Sequence, residues 1–358
     1  MKKAYAYHHE PIPFHFAQSI DRFFVEELPA LSCSDQGNYL MLKIKKRDMS
    51  TWKLLHVLTK ALHVNESDIG YAGLKDKNAT SIQYITIPKV CEKKLEHVTT
   101  ERVEIVECCY VKSALKIGQL EGNRFEIVLR SLKQSDYERL MPVANQMVKR
   151  GIPNYFGYQR FGEDGKSFEQ GKNIAYSGKK LRGAKEKLLV ASYQAYLFND
   201  WLSKRVWISD IAEKQSEKEA SSLLKFPPDL IHALKEQPHF FKLFLGDVMQ
   251  QDDSQKYRYL ETLQKGSDAF AKKTLTPTGL LCGSHVMRAS SDARHLEAPF
   301  DDDTLASLRG DRRAAWIWPQ SLSLDFDPAS FSLRIGFVLP RGAYATTFLE
   351  AIANRALV

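Results

Sequence analysis

In NYLMLKIK, residues 38–45, Leu40, Leu42 and Ile44 alternate with more polar neighbours, the period of a half-buried strand. From Ser50 the period changes: Leu54, Leu55, Leu58, Ala61 and Leu62 recur at helical spacing, with Ser50 or Thr51 available as the N-cap. A second β-rich run covers Ile82 to Ile87 and ends at Pro88. A third alternates Phe125, Ile127 and Leu129 with Glu126, Val128 and Arg130, introduced by Gly122 and Asn123. The helix predicted after it is capped by Ser135, lined by Leu140, Val143, Ala144, Met147 and Val148, kinked at Pro142, and stopped by Gly151 and Pro153.

Residues 154–310 have a mostly helical pattern that includes the charged stretch EKQSEKEA. Strict alternation returns at Phe331, Leu333, Ile335, Phe337 and Leu339, up to Pro340, and a short helix follows. The expectation is a mixed α/β chain. Its C-terminal strand completes a sheet begun by the N-terminal half, so residues 1–153 and 311–358 form one domain and 154–310 a second, inserted one.

At 358 residues the chain is long enough to bury about three quarters of the surface of its unfolded form. Its 44% hydrophobic and 26% charged residues are those of an ordinary folded protein, not of a disordered one. MKKAYAYHHEPIPFHF lacks the apolar run of a signal peptide, and no segment has the length of apolar residues that a membrane span needs, so a cytoplasmic protein is expected. Five cysteines without CxxC spacing predict neither a disulfide framework nor a zinc knuckle and are expected to be reduced. His8 and His9 are adjacent, and His56, His63, His285 and His295 lack an acidic ligand at a recognised spacing, so no metal is expected.

Lys and Arg outnumber Asp and Glu by 51 to 43, which fits either a polyanionic partner or a surface with surplus lysine. Distribution has to separate the two. GYAGLKDKNATSIQY, residues 70–84, sets Asp76 between Lys75 and Lys77 in a glycine-bearing loop that leads into a strand. Such a triplet is commonly a solvated loop tip. It also suits a carboxylate held charged by its neighbours, a nucleophile or base for neutral pH, with lysines that can meet phosphates. NYFGYQRFG interleaves Tyr155, Phe156, Tyr158 and Phe161 with Asn154, Gln159 and Arg160, combining stacking faces with groups that bond phosphates and base edges. GNRF adds Asn123, Arg124 and Phe125. By residue type Phe125 reads as core, whereas NYFGYQRFG reads as recognition.

GYAGLKDK, LEGNRF, GIPNYFGYQRFG, SYQAYLFN and LPRGAYAT, in this order, resemble the TruD family of tRNA pseudouridine synthases. Beyond about residue 206 the likeness thins to fragments such as GDVM at 246–249. The resemblance implies a pseudouridine synthase catalytic domain with a largely antiparallel mixed sheet, interrupted by the family's own inserted domain. It implies isomerisation of a uridine, in this family typically position 13 of certain tRNAs, by base flipping and without cofactor or metal. Asp76 then matches the essential aspartate, acting on the sugar as nucleophile or as base. Phe125 matches the aromatic that stacks on the target base, Asn123 lines the site in the same GNxF motif, and Phe23 in DRFFVEE parallels the family's D-F-V-x-E segment. Lys75, Lys77, Asn154 and Arg160 complete the expected substrate-binding set, and Lys75 is the nearest candidate to orient Asp76. Ile20 and Asp21 depart from the family's pattern before Phe23, and Glu121 stands where a basic residue is usual. tRNA is the expected partner, with no membrane, no obligatory protein partner and a monomeric chain. Two rivals remain open: a non-catalytic RNA-binding protein, and a base-releasing hydrolase, which would need a second acid.

Overall fold

The structure is a computed structural model that describes residues 3–162, 164–179, 181–251 and 256–357. The chain clusters into two compact units. One comprises Ile12–Asn145 and Pro319–Gly342, the other Met1–Pro11, Gln146–Trp318 and Ala343–Val358. These divisions fall elsewhere than the expected 154–310 insert, because both chain ends group with the middle of the chain.

The first unit is built on one sheet. Its elements in chain order are β1 (Phe23–Pro29), β2 (Tyr39–Arg47), α1 (Thr51–Leu62), β3 (Gly70–Tyr71), β4 (Thr80–Pro88), β5 (Val103–Val111) and β6 (Leu120–Arg130). A C-terminal hairpin, Gln320–Asp327 and Ser332–Pro340, follows much later in the chain. Across the sheet the order is Gln320–Asp327, Ser332–Pro340, β6, β1, β4, β2 and β5, with β3 beside β4. Only β1 and β4 run parallel; every other neighbour is antiparallel. The sheet is therefore mixed and largely antiparallel, and Ser332–Pro340 does join the N-terminal strands through β6.

Ser50 caps α1 by accepting a hydrogen bond from Lys53 N at 3.3 Å. The helix buries Leu54, Leu55, Leu58 and Leu62 in one apolar cluster with Leu42, Ile44, Ile85 and Ile87 of the sheet. Two expected boundaries move. Gly122 and Asn123 do not turn the chain but lie inside β6, where Gly122 pairs with Pro340. A Cβ at Gly122 would stand 2.4 Å from the Leu339 carbonyl oxygen, so the glycine serves close strand approach. Ser135 is not a cap: the helix Gln134–Arg150 already contains it, and Asp136 Oδ2 accepts from Lys133 N at 3.2 Å.

Cys33 and Cys109 are joined as a disulfide, which corrects the expectation of five reduced cysteines; Cys91, Cys108 and Cys282 are free. Ser34 N donates to the Tyr110 carbonyl at 2.9 Å, and this bridge sets the two cysteines side by side across 76 residues of sequence.

The second unit has a long helix, Gly183–Lys214, and six shorter ones: Ser167–Tyr176, Glu217–Leu224, Pro228–Lys235, Leu263–Ala271, Ser291–Glu297 and Ala345–Ala353. The mostly helical pattern concealed a four-stranded antiparallel sheet, ordered Asp311–Ala314, Leu275–Leu281, Val248–Gln251 and Lys256–Tyr259. Its strands are only four to seven residues long, and two of them, KYRY and DRRA, are polar, so no alternation runs long enough to stand out. The core holds Phe198, Trp201, Phe241 and Trp316. Within GDVM, Asp247 receives both Nη1 and Nη2 of the buried Arg205 at 2.8 Å, a structural pair. Among the described residues no helix is long and apolar enough to cross a membrane.

Candidate active site

Successive residues of a strand point to opposite faces, so the register decides which side chains share the face that α1 covers. One row across the sheet runs Phe337, Phe125, Val25, Ser81 and Lys46. The next contains Leu339, Asn123 and Glu27, while Gln83 lies opposite Ile44. Asn123, Glu27, Ser81, Gln83 and Lys46 are all buried, so a polar inlay interrupts an otherwise apolar face. Burying such groups is costly unless they are paired, and most of these pairings go to one loop.

That loop, residues 72–79 between β3 and β4, carries Asp76. Thr51, the first residue of α1, accepts from Lys75 N at 2.8 Å and donates to Gln83 Oε1 at 3.0 Å. Gln83 Nε2 donates to the Gly73 carbonyl at 2.7 Å. Lys75 Nζ pairs with Glu27 Oε1 at 2.8 Å, and Glu27 Oε2 accepts from Tyr84 N at 2.9 Å, next to the point where the β1–β4 pairing stops. Lys46 Nζ donates to the Met49 carbonyl and, at 3.5 Å, to the carbonyl of Asp76. Burial, and then the nearby Lys75, lower the Lys46 pKa to about 8. The backbone on both sides of Asp76 is thus tied to groups that cannot easily move.

The carboxylate itself is exposed. Its Oδ2 accepts from Gln18 Nε2 at 3.2 Å, and among the described residues it makes no ion pair. Neither flanking lysine touches it. Lys75 turns inward to Glu27, and the exposed Lys77 lies 3.9 Å from Asp48 Oδ1. Adjacent residues of an extended loop point to opposite sides, so the lysines that looked like electrostatic partners of Asp76 in sequence have other ones.

Phe23 and Phe125 meet edge to face at 6.0 Å, Phe125 stacks on Phe337 at 5.4 Å, and Phe16 reaches Phe23 at 6.2 Å. Phe125 retains 7% of its surface and Phe23 retains 5%. Both are walls built into the core. Asn123, across from Glu27, has a buried Oδ1 with no hydrogen-bond partner among the described residues. An orphaned acceptor of this kind beside an aromatic wall calls for a donor from outside.

One unit thus brings together Phe23, Lys75, Asp76, Lys77, Asn123 and Phe125. Asn154 and Arg160 belong to the other. There Asn154 Nδ2 donates to the Ala314 carbonyl at 2.9 Å and its Oδ1 accepts from Arg313 Nη2 at 2.8 Å, so its amide is engaged within the unit. Arg160 lies over the Phe156 ring at 5.7 Å. Three of the four aromatics of NYFGYQRFG, Tyr155, Phe156 and Phe161, are buried in the core, Tyr158 is half-buried, and Asn199 of SYQAYLFN bonds both the N–H and the carbonyl of Phe156. Arg313, half-buried, sits 4.0 Å from the Phe156 ring centroid, and desolvation lowers its pKa to about 10.

Sequence reasoning missed Gln18, Glu27, Lys46, Thr51 and Gln83. Polar residues at in-facing positions of otherwise apolar strands were the available signal for Lys46 and Gln83. Nothing local marked Gln18.

The family model for "tRNA pseudouridine synthase D (TruD)" matches residues 2–178. A tRNA pseudouridine synthase D from a Nitratiruptor species is 39% identical over 356 residues, covering 99% of each chain. One from Wolinella succinogenes is 38% identical over 357 residues, again covering 99% of each. Among solved structures, a putative tRNA pseudouridine synthase D from Methanosarcina mazei superposes with a TM-score of 0.70 at 19% identity, over 99% of this chain and 96% of that one, which is a likeness of fold.

Proposed function

The chain belongs to the TruD family of tRNA pseudouridine synthases, which isomerise uridine to pseudouridine in tRNA, and from this we propose that Asp76 is its catalytic carboxylate and position 13 of tRNA its target. The observation that carries the assignment is the exposed carboxylate of Asp76, which makes no ion pair among the described residues, on a loop whose backbone is pinned on both sides of it. A reacting group needs this combination: access for the substrate, and little freedom to lose when the substrate arrives.

The uridine leaves its stack to reach the loop, because the atoms to be changed are inaccessible inside a folded RNA. The N1–C1′ bond then breaks, the uracil turns, and C5 bonds C1′ while the C5 proton departs and N1 regains one. No atom is gained or lost and nothing is oxidised. Asp76 acts at the ribose, either by attack on C1′ or by removal of the C2′ proton; both routes place one carboxylate oxygen against the sugar. Throughout, the detached base has to be retained. Phe23 and Phe125 present the apolar wall, and Asn123 Oδ1 accepts a hydrogen bond from an N–H of the uracil. Gln18 orients the carboxylate, and Glu27 with Lys75 holds the loop rather than touching RNA. A tRNA substrate puts this work in the cytoplasm.

The test is carbodiimide mapping of pseudouridine in unmodified tRNA incubated with the pure protein. A block at position 13 alone is expected. Modification elsewhere refutes the position, and none at all refutes the activity.

A further inference from the structure

The sheet unit has an open pocket of about 480 Å3 whose walls include His15, Arg22, Arg130, Lys133 and Phe331. Backbone bonds hold it together. His15 and Arg130 exchange N–H to carbonyl bonds at 2.8 and 3.0 Å, Val128 N donates to the Arg22 carbonyl at 3.0 Å, and Leu132 N donates to the Phe331 carbonyl at 3.0 Å.

Its cationic side chains are not matched by ion pairs. The carboxylates nearest in sequence have other partners: Asp21 pairs with Arg47, Asp136 with Arg139 and the Lys133 backbone N–H, and Asp327 with Ser330. Arg22, Arg130 and Lys133 make no ion pair among the described residues. Beside them Phe331 is 55% exposed, with φ +51. A bulky residue in the left-handed region is strained, and an apolar ring in water gains nothing from its exposure. Such strain at an exposed aromatic among unpaired cations points to a ligand that stacks and carries negative charge.

The pocket is also joined to the catalytic loop by one short stretch of chain. His15 and Arg22 line the pocket, Gln18 between them bonds Asp76, and Phe23 directly after Arg22 packs on Phe125. We propose that the pocket is a second nucleotide subsite: a tRNA nucleotide other than the one isomerised stacks on Phe331 while its flanking phosphates meet Arg22, Arg130 and Lys133. The proposal rests on tRNA being the substrate. It adds where the chain grips that tRNA away from the reacting base.

The experiment measures binding of an unmodified tRNA transcript by the full chain over a range of salt, for wild type, Arg130→Gln, Lys133→Gln and Phe331→Ser, with melting temperatures recorded in parallel. Each charge variant is expected to make the plot of log K against log salt shallower by about one unit. Phe331→Ser is expected to weaken binding about fivefold or more without changing the slope. Because the ring is exposed and serine keeps the same Cβ in the same backbone conformation, its melting temperature should hold, so unfolding cannot account for the loss. Wild-type slopes in both charge variants, or wild-type affinity in Phe331→Ser, overturn the subsite. Pseudouridine formation by wild type on the same transcript is scored separately. If the transcript binds but is not modified, the assigned activity fails while the slopes still decide the pocket.

Discussion

Glu27 Oε1 lies 2.8 Å from Lys75 Nζ, with Glu27 buried and the Lys75 side chain 9% exposed, one residue before the exposed Asp76. The pair ties the candidate catalytic loop to a central strand of the sheet. Removing one member of a buried pair strands the other, at a cost of about 3–5 kcal/mol. Glu27→Gln is therefore expected to lower the melting temperature clearly and to slow the reaction. Glu27→Gln with Lys75→Met should regain most of the stability, because no lone charge remains, but not the rate. A double variant no more stable than the single would show that the pairing is not what Glu27 contributes.

For Asp76→Asn, pseudouridine formation should fall below about one per cent of wild type while tRNA affinity is nearly kept, since shape is preserved and only the reactive carboxylate is lost. Residual turnover above that level, in protein shown free of wild type, would remove Asp76 from the chemistry.

Lys77 and Lys75 separate by surroundings. Lys77 is exposed and only loosely paired with Asp48, so Lys77→Gln should make the salt dependence of tRNA binding shallower by about one unit. Lys75→Gln should leave the slope alone and lower stability, because its ammonium is already bound to Glu27. The reverse pattern would mean that Lys75 leaves Glu27 when RNA arrives.

Phe125→Ala is expected to cost about 3–5 kcal/mol of folding stability, as a buried ring between Phe23 and Phe337 should. Phe125→Leu keeps much of the volume and should fold, so the rate it retains measures what the aromatic wall contributes to the reaction. A Phe125→Ala protein with an unshifted melting temperature would place the ring outside the core.

His239 in the helical unit gives a pH dependence. Its Nδ1 meets the Phe241 carbonyl at 2.8 Å and its Nε2 meets Ser267 Oγ at 2.9 Å, an arrangement suited to the neutral ring, and burial lowers its pKa from 6.5 to about 4. Between those values the unfolded chain binds a proton that the folded one refuses. The contribution is thus fully present above pH 6.5 and is lost as pH falls toward about 4, to the extent of about 3 kcal/mol at most. Melting temperature against pH should fall less steeply over that window for His239→Gln than for wild type; parallel curves would contradict the assignment.

Local periodicity was enough to find β2, α1, β4, β6 and the strand Ser332–Pro340, because each buries one face and leaves its signature at period 2 or 3.6. β5 escaped because its burial is uneven along its length, and the strands of the second unit because each spans only four to seven residues. The GLKDK loop was visible as a loop, yet the partners of its lysines were not. Glu27, Lys46 and Gln83 come from three strands and Thr51 from a helix, so only register brings them beneath residues 73–76. In NYFGYQRFG the mixture of aromatic and polar residues resembled a binding surface. In the structure Asn154 bonds the Ala314 carbonyl, Gln159 accepts from the Thr346 hydroxyl, and Arg160 lies over the Phe156 ring.

Phe125 has Val25 of β1 on one side and Phe337 on the other. β1, β4 and β6 leave the ribosome early, whereas Ser332–Pro340 is synthesised only after the whole of Gln146–Trp318. Until then the nascent β6 has an unpaired edge, the kind of surface that recruits other strands. A message cut short within Gln146–Trp318 therefore yields a polypeptide that already contains Asp76 but retains that open edge. Such a fragment is a client for chaperones and proteases, not a slow enzyme, and cells should contain either complete molecules or none.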